Sequence, residues 1–170
     1  VVTVAVDGAV PNLWAQPASG TTNYLYGVWG TSATNAYAVG SSGTIRSWDG
    51  TSWSAMSSGT TSTLRGVWGA SATDAFAVGD YGTILRWNGT AWSAMTSGTT
   101  SALYGVWGTS PTNVFAVGYN GMILRFNGTS WAAVTSGIEG RYTCLLGVWG
   151  TSPTNVYAVG DGGKILRWNG

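Results

Sequence analysis

The chain has no histidine and one cysteine, Cys144, in 170 residues. Without histidine there is no Ser-His-Asp or Cys-His nucleophile arrangement. One cysteine and no histidine leave neither an intrachain disulfide nor a zinc ligand set. Cys144 reads as a small buried hydrophobe instead. Charge is also scarce, at 8% of residues, against roughly 25% in ordinary soluble chains. The carboxylates are Asp7, Asp49, Asp74, Asp80, Glu139 and Asp161, and a glycosidase would need two of them to converge. Asp49 and Asp74 stand in turns where sister segments carry Asn, so turn capping explains them. The expectation is a protein that is not an enzyme and needs no cofactor and no metal. Seven basic residues are scattered along the chain, and phosphate neutralisation needs them clustered, so nucleic acid is not expected as a partner. No apolar run approaches the roughly 18 residues of a membrane helix, so membrane insertion is not expected either. Val1–Val6 is too short for a signal peptide and lacks a basic leader.

What the chain does have is repetition. Gly-Val-Trp-Gly occurs at Gly27–Gly30, Gly66–Gly69, Gly105–Gly108 and Gly147–Gly150, spaced 39, 39 and 42 residues. Self-similarity near 40 residues in all-β units marks a propeller. One unit, Trp53 to Ala91, divides into four short strands: Trp53–Met56, Leu64–Trp68, Ala75–Val78 and Thr83–Trp87. Between them lie a polar loop, the turn Gly69–Asp74, the turn Gly79–Gly82, and Asn88-Gly89, a strong hairpin signal. Proline at Pro111 and Pro153 suits a type I turn. Helix is disfavoured by β-branched, aromatic and glycine content.

The fold expected is therefore all-β, a β-propeller of about 39-residue four-stranded blades, four per chain. The repeats run about 14–52, 53–91, 92–130 and 131–170 in one domain. Strands are apolar on both sides, as two-sided packing requires. Strict alternation would send Leu25, Gly27 and Trp29 one way and Tyr26 and Val28 the other. Glycine in this strand fits a crowded place near the axis. The strand at Leu13–Ala18 would complete the last blade, which ends at Trp168-Asn169-Gly170, and so remove an open edge. The alternative is two chains sharing one larger ring. Left exposed, the uncharged Val1–Val6 would invite edge pairing into a homo-oligomer.

The segment Ser47-Trp48-Asp49-Gly50-Thr51-Ser52-Trp53 resembles the Asp-box of BNR-type propellers found in bacterial exported proteins. Arg86–Trp92 and Arg125–Trp131 keep its frame but lose the Ser and the Asp. In that family the box braces a hairpin at the rim, so the resemblance implies fold and not chemistry. With the low charge and the Ser/Thr/Gly-rich composition, it gives a secreted or cell-surface bacterial protein as the expectation.

Within the constant Ala-Val-Gly frame one turn varies: Ser41-Ser42, Asp80-Tyr81, Tyr119-Asn120 and Asp161-Gly162. It should share one end of the ring with the loops into the next inner strand. The longest of these, Gly137–Thr143, carries Tyr142. Rigid scaffolds place binding groups on such loops. The candidate ligand-binding residues are Asp80, Tyr81, Tyr119, Asn120, Asp161 and Tyr142, with Tyr24 and Tyr26 as further irregular aromatics. The recurrent tryptophans read as packing between blades. Asn88-Gly89-Thr90 and Asn127-Gly128-Thr129 match a glycosylation sequon, but hairpin turns account for them. The function expected is noncatalytic recognition, lectin-like, with a glycan or protein as partner. The alternative is a structural or self-assembling surface protein with no small ligand.

Overall fold

In the computed structural model, which describes residues 15–138 and 143–170, the chain forms antiparallel sheets in sequence order. The first sheet holds β1 (Leu25–Ser32), β2 (Asn35–Gly40), β3 (Ile45–Trp48) and β4 (Trp53–Met56). The second holds β5 (Leu64–Ser71), β6 (Asp74–Gly79), β7 (Ile84–Trp87) and β8 (Trp92–Ala94). The third holds β9 (Leu103–Ser110), β10 (Asn113–Gly118), β11 (Ile123–Phe126) and β12 (Trp131–Ala133). The last, among the described residues, has three strands: β13 (Leu145–Ser152), β14 (Asn155–Gly160) and β15 (Lys164–Trp168). Each sheet is a simple meander, and the repeat seen in sequence straddles two of them. The Trp strands that open the second, third and fourth repeats are the outermost strands of the preceding sheets.

Successive sheets stack face to face as blades. Tyr37, Val39 and Ile45 of the first blade meet Leu64, Val67 and Leu85 of the second in one core. Phe76, Val78 and Ile84 meet Leu103, Leu124 and Phe126 in the next. Leu64, Leu103 and Leu145 are fully buried, each stabilising by roughly 1.5–3 kcal/mol. The inner strands approach closely: a Cβ on Gly27 would lie 3.0 Å from the Arg65 carbonyl oxygen, and one on Gly66 would lie 3.0 Å from that of Tyr104. This is the crowding near the axis that the glycines predicted.

Strict alternation fails at one position. A register shift between Leu25 and Gly27, repeated between Leu64 and Gly66, is a β-bulge. It turns Leu64 onto the same face as Val67, toward the first blade, while Trp68 faces the third. Leu25 therefore sides with Val28 and not with Trp29. The bulged residue, Tyr26 in β1 and Arg65 in β5, is left to point off both packed faces. The inner strands also run further than expected, to Ser71 and its equivalents, leaving two-residue turns.

The inner strands pack in series, β1 on β5, β5 on β9 and β9 on β13, and no comparable packing joins β13 to β1. The described blades form an open arc. Leu13 and Trp14, expected to begin the strand that closes the last blade, lie outside the described residues, as does Val1–Val6. Residues 15–24 contain no strand and are tied to the first blade, where Arg46 Nε donates to the Ser19 carbonyl oxygen at 2.7 Å.

Candidate functional site

The top and bottom of the arc, where the strands turn, differ in what they carry. At one end, each β3–β4 type hairpin is braced by an Asx turn. The Asp49 carboxylate accepts from Thr51 N and Ser52 N, both at 2.8 Å. Asn88 and Asn127 do the same in their hairpins. The backbone amides of Ser52 and Thr51 hold the Asp49 carboxyl below the usual aspartate range. Trp48 Nε1 donates to Ala33 O at 3.0 Å and so ties the hairpin to the neighbouring turn at this end. Asp74 does not cap its own turn as expected. It takes the Arg86 guanidinium in a two-bond fork at 3.0 and 2.8 Å, and that guanidinium lies between the Phe76 and Phe126 rings.

The other end carries the variable turns. Each is a single 3-10 turn whose middle residue adopts a left-handed conformation: Ser42 at φ 54°, Tyr81 at 58°, Asn120 at 56° and Gly162 at 63°. The loop into the next inner strand packs against it, with Thr60 on Gly43, Thr99 on Gly82 and Ile138 on Gly121. Variable turns and long loops therefore share this end, as expected from sequence.

Asp80 sits in the second turn, its N–H donating to Thr63 O at 2.9 Å. Its carboxylate accepts Arg65 Nε at 2.5 Å and Nη2 at 3.0 Å. The Arg65 guanidinium lies 5.7 Å from the Tyr26 ring centre and 5.3 Å from that of Tyr104. Three neighbouring blades thus contribute to one clamp. Burial raises the Tyr104 phenol above its ordinary range, and the neighbouring Cys144 adds to the shift. Asp161, in the last turn, accepts Cys144 N at 3.0 Å. Burial first, then Asp161, pushes the Cys144 thiol up. Tyr26, Arg65, Asp80, Tyr104, Cys144 and Asp161 form a row across this end.

Of the sequence candidates, Asp80 and Asp161 belong to the row. Tyr81 projects beside it, 79% exposed. Tyr119 and Asn120 occupy the third turn, with Tyr119 N donating to Ala102 O at 2.9 Å. Tyr142 lies outside the described residues. Arg65 and Tyr104 were not expected. The signal for them is the position after the leucine in Leu-x-Gly-Val-Trp-Gly, which reads Tyr26, Arg65, Tyr104 and Leu146 between constant neighbours. Among the described residues no group of three or more His, Cys, Asp or Glu side chains could hold a metal ion.

Comparison with solved structures gives the fold its name. It is that of a β-propeller. YCF48 from Cyanidioschyzon merolae matches with a TM-score of 0.71 over 87% of this chain and 51% of that one, at 16% identity. A structure titled YCF48 bound to D1 peptide matches with a TM-score of 0.70 at 15% identity. The computationally designed Ika4 protein matches with a TM-score of 0.71 over 88% of this chain and 93% of that one, at 14% identity. The WD40 propeller domain of Doa1 matches with a TM-score of 0.69, over 84% of this chain and 49% of that one, at 12% identity. This chain spans about half the length of YCF48 and of the Doa1 chain. At these identities the likeness is one of fold. No protein-family model and no curated protein matches the sequence.

Proposed function

We propose that this propeller is a noncatalytic recognition module that binds a neutral, hydroxyl-rich ligand, a carbohydrate, at the end bearing the variable turns. The observation that carries this reading is the clamp. Arg65 is neutralised by Asp80 and held between two tyrosines. A surface of this kind offers ring faces to the C–H side of a sugar and hydroxyls and a fixed charged fork to its oxygens. Within the clamp the one cation, Arg65, is already paired with the Asp80 carboxylate.

Tyr81 supports the same reading. A bulky residue in the left-handed region costs of order 1–3 kcal/mol and is retained where the exposed side chain has a use. The sister turn shows that glycine serves the conformation, at Gly162. The low charge and the Ser/Thr-rich surface favour a secreted or cell-surface setting. The propeller titled as peptide-bound makes a protein ligand the natural competitor on this fold.

A glycan array tests the reading, with wild type beside Tyr26→Ala and Tyr104→Ala. At least tenfold loss of a wild-type glycan signal in both variants is expected. An array blank for wild type, or a signal untouched by either change, overturns it. A second reading, a self-assembling structural protein without a small ligand, is favoured by the apolar faces left open at both ends of the arc. A blank array together with concentration-dependent self-association selects it.

A further inference from the structure

The two ends of the arc carry the two halves of one interface that occurs three times inside it. On the leading face, Leu25 is 41% exposed and Val28 is 70% exposed, whereas Leu64 and Leu103 are fully buried and Val67 is 8% exposed. On the trailing face, Val159 is 46% exposed and Ile165 is 71% exposed, whereas Val39 and Val78 are fully buried and Ile45 and Ile84 are 1% exposed. Both faces are built from the residues that make the internal cores, and Val28 and Ile165 remain largely exposed on them.

The unmet contacts match one by one. The indoles of Trp29, Trp68 and Trp107 lie on Gly69, Gly108 and Gly150 of the following blade. Trp149, the fourth in this series, is 60% exposed, and the fourth glycine, Gly30, is exposed at the opposite end. Arg86 and Arg125 each stack between a ring of their own blade and one of the next. Arg167 has only its own, Tyr157, and the next ring in register is Trp48. The loops at Thr60 and Thr99 pack on Gly43 and Gly82, whereas Gly163 has nothing within 4 Å. Its counterpart is the loop at Thr21, already held in the same form by Ser19, whose hydroxyl donates to Thr21 O at 3.0 Å as Ser58 does to Thr60 O at 3.1 Å.

We propose that a second copy of this chain covers both faces, so that two chains close one ring of eight blades. The pairing continues an interface the fold already uses, which commits each face to the other. Length supports two copies: the chain covers 51% and 49% of two longer propeller chains on which it superposes. Repeat register fits as well. Trp14 precedes Leu25 by the same interval as Trp53 precedes Leu64. A cavity of about 110 Å³ lined by Phe115 and Trp168 marks the place equivalent to that of Trp92 against Tyr37 and Trp131 against Phe76. Arg46 is the departure, standing where Leu85 and Leu124 stand, and its guanidinium is bound to Ser19 of its own chain.

Native mass spectrometry and sedimentation across a micromolar concentration series test this with the 170-residue chain. The expected mass is twice 17.6 kDa. Val28→Arg and Ile165→Arg, one on each face, should each weaken association at least 100-fold, because either change strikes both joints of the ring. A tandem fusion of two chains should be a monomer with the hydrodynamic radius of the two-copy ring, which guards against variants that merely misfold. A wild-type monomer at every concentration, a trimer or an open-ended ladder, or a tandem fusion that itself associates, overturns the proposal.

Discussion

The Trp68 indole fills the space that a side chain on Gly108 would need: a Cβ there would lie 2.8 Å from Trp68 Cη2. This one relationship, repeated along the arc, explains why Gly-Val-Trp-Gly recurs as a unit. The tryptophan of one blade is seated on the final glycine of the next. Gly108→Ala must displace either the ring or the strand, and we expect a loss of about 1–3 kcal/mol, as for other overpacked cores. Urea denaturation of wild type and variant gives the number directly.

The row of inner glycines gives a graded companion. A Cβ on Gly66 would lie 3.0 Å from a backbone oxygen of the next blade, whereas one on Gly147 meets only the Val159 side chain, at 3.3 Å. Within an open arc Gly147→Ala should be far milder than Gly66→Ala. In a closed two-chain ring the two should cost alike, because the next inner strand is then present at both places. Paired denaturation curves at dilute and concentrated protein distinguish these outcomes.

Tyr81→Gly should raise stability while lowering binding. Leaving the left-handed region to glycine removes about 1–3 kcal/mol of strain, offset by about 0.5–1 kcal/mol of glycine's extra chain entropy. The net expectation is a gain of up to about 2 kcal/mol in thermal or urea unfolding, together with a weaker glycan signal.

Much of this was legible in the sequence. The repeat period, the glycine frame and the hairpin signals together give the blades, since each is a local rule that packing does not overrule. The shared end of the variable turns and long loops also follows from strand order alone. What was hidden is the bulge after Leu25, Leu64 and Leu103. A bulge changes which way a side chain points without changing the residues that flank it, so alternation assigned Leu25 to the wrong face. The clamp was hidden for the same reason: Arg65 leaves both packed faces only because the bulge turns it out. The pairing of Asp74 with Arg86 required knowing that β6 and β7 lie side by side in the register Phe76 to Arg86.

Acid should reveal the Asp49 brace. Its carboxyl is held below the ordinary range by the Ser52 and Thr51 amides. A depressed folded-state value contributes stability above the unfolded value, and that stability is lost as pH falls below about 4. Asn88 and Asn127 do the same work without titrating. Asp49→Asn should therefore flatten the acid limb of stability against pH and leave neutral pH nearly unchanged. Thermal midpoints between pH 2 and 7 check this.

Cys144 should react slowly. Burial and the Asp161 carboxylate raise its thiol, so less thiolate is present at neutral pH than for an ordinary cysteine. Labelling by a disulfide reagent at pH 7.5 should be slower than for a free cysteine peptide, and Asp161→Asn should speed it.

The most direct test of recognition at the variable-turn end is an amide chemical-shift map of the protein titrated with the strongest glycan from the array. The account predicts shifts concentrated at Tyr26, Arg65, Asp80, Tyr81 and Tyr104. Shifts concentrated instead at the Asp49–Ser52 hairpin of the opposite end, or no shifts at saturating glycan, would contradict it.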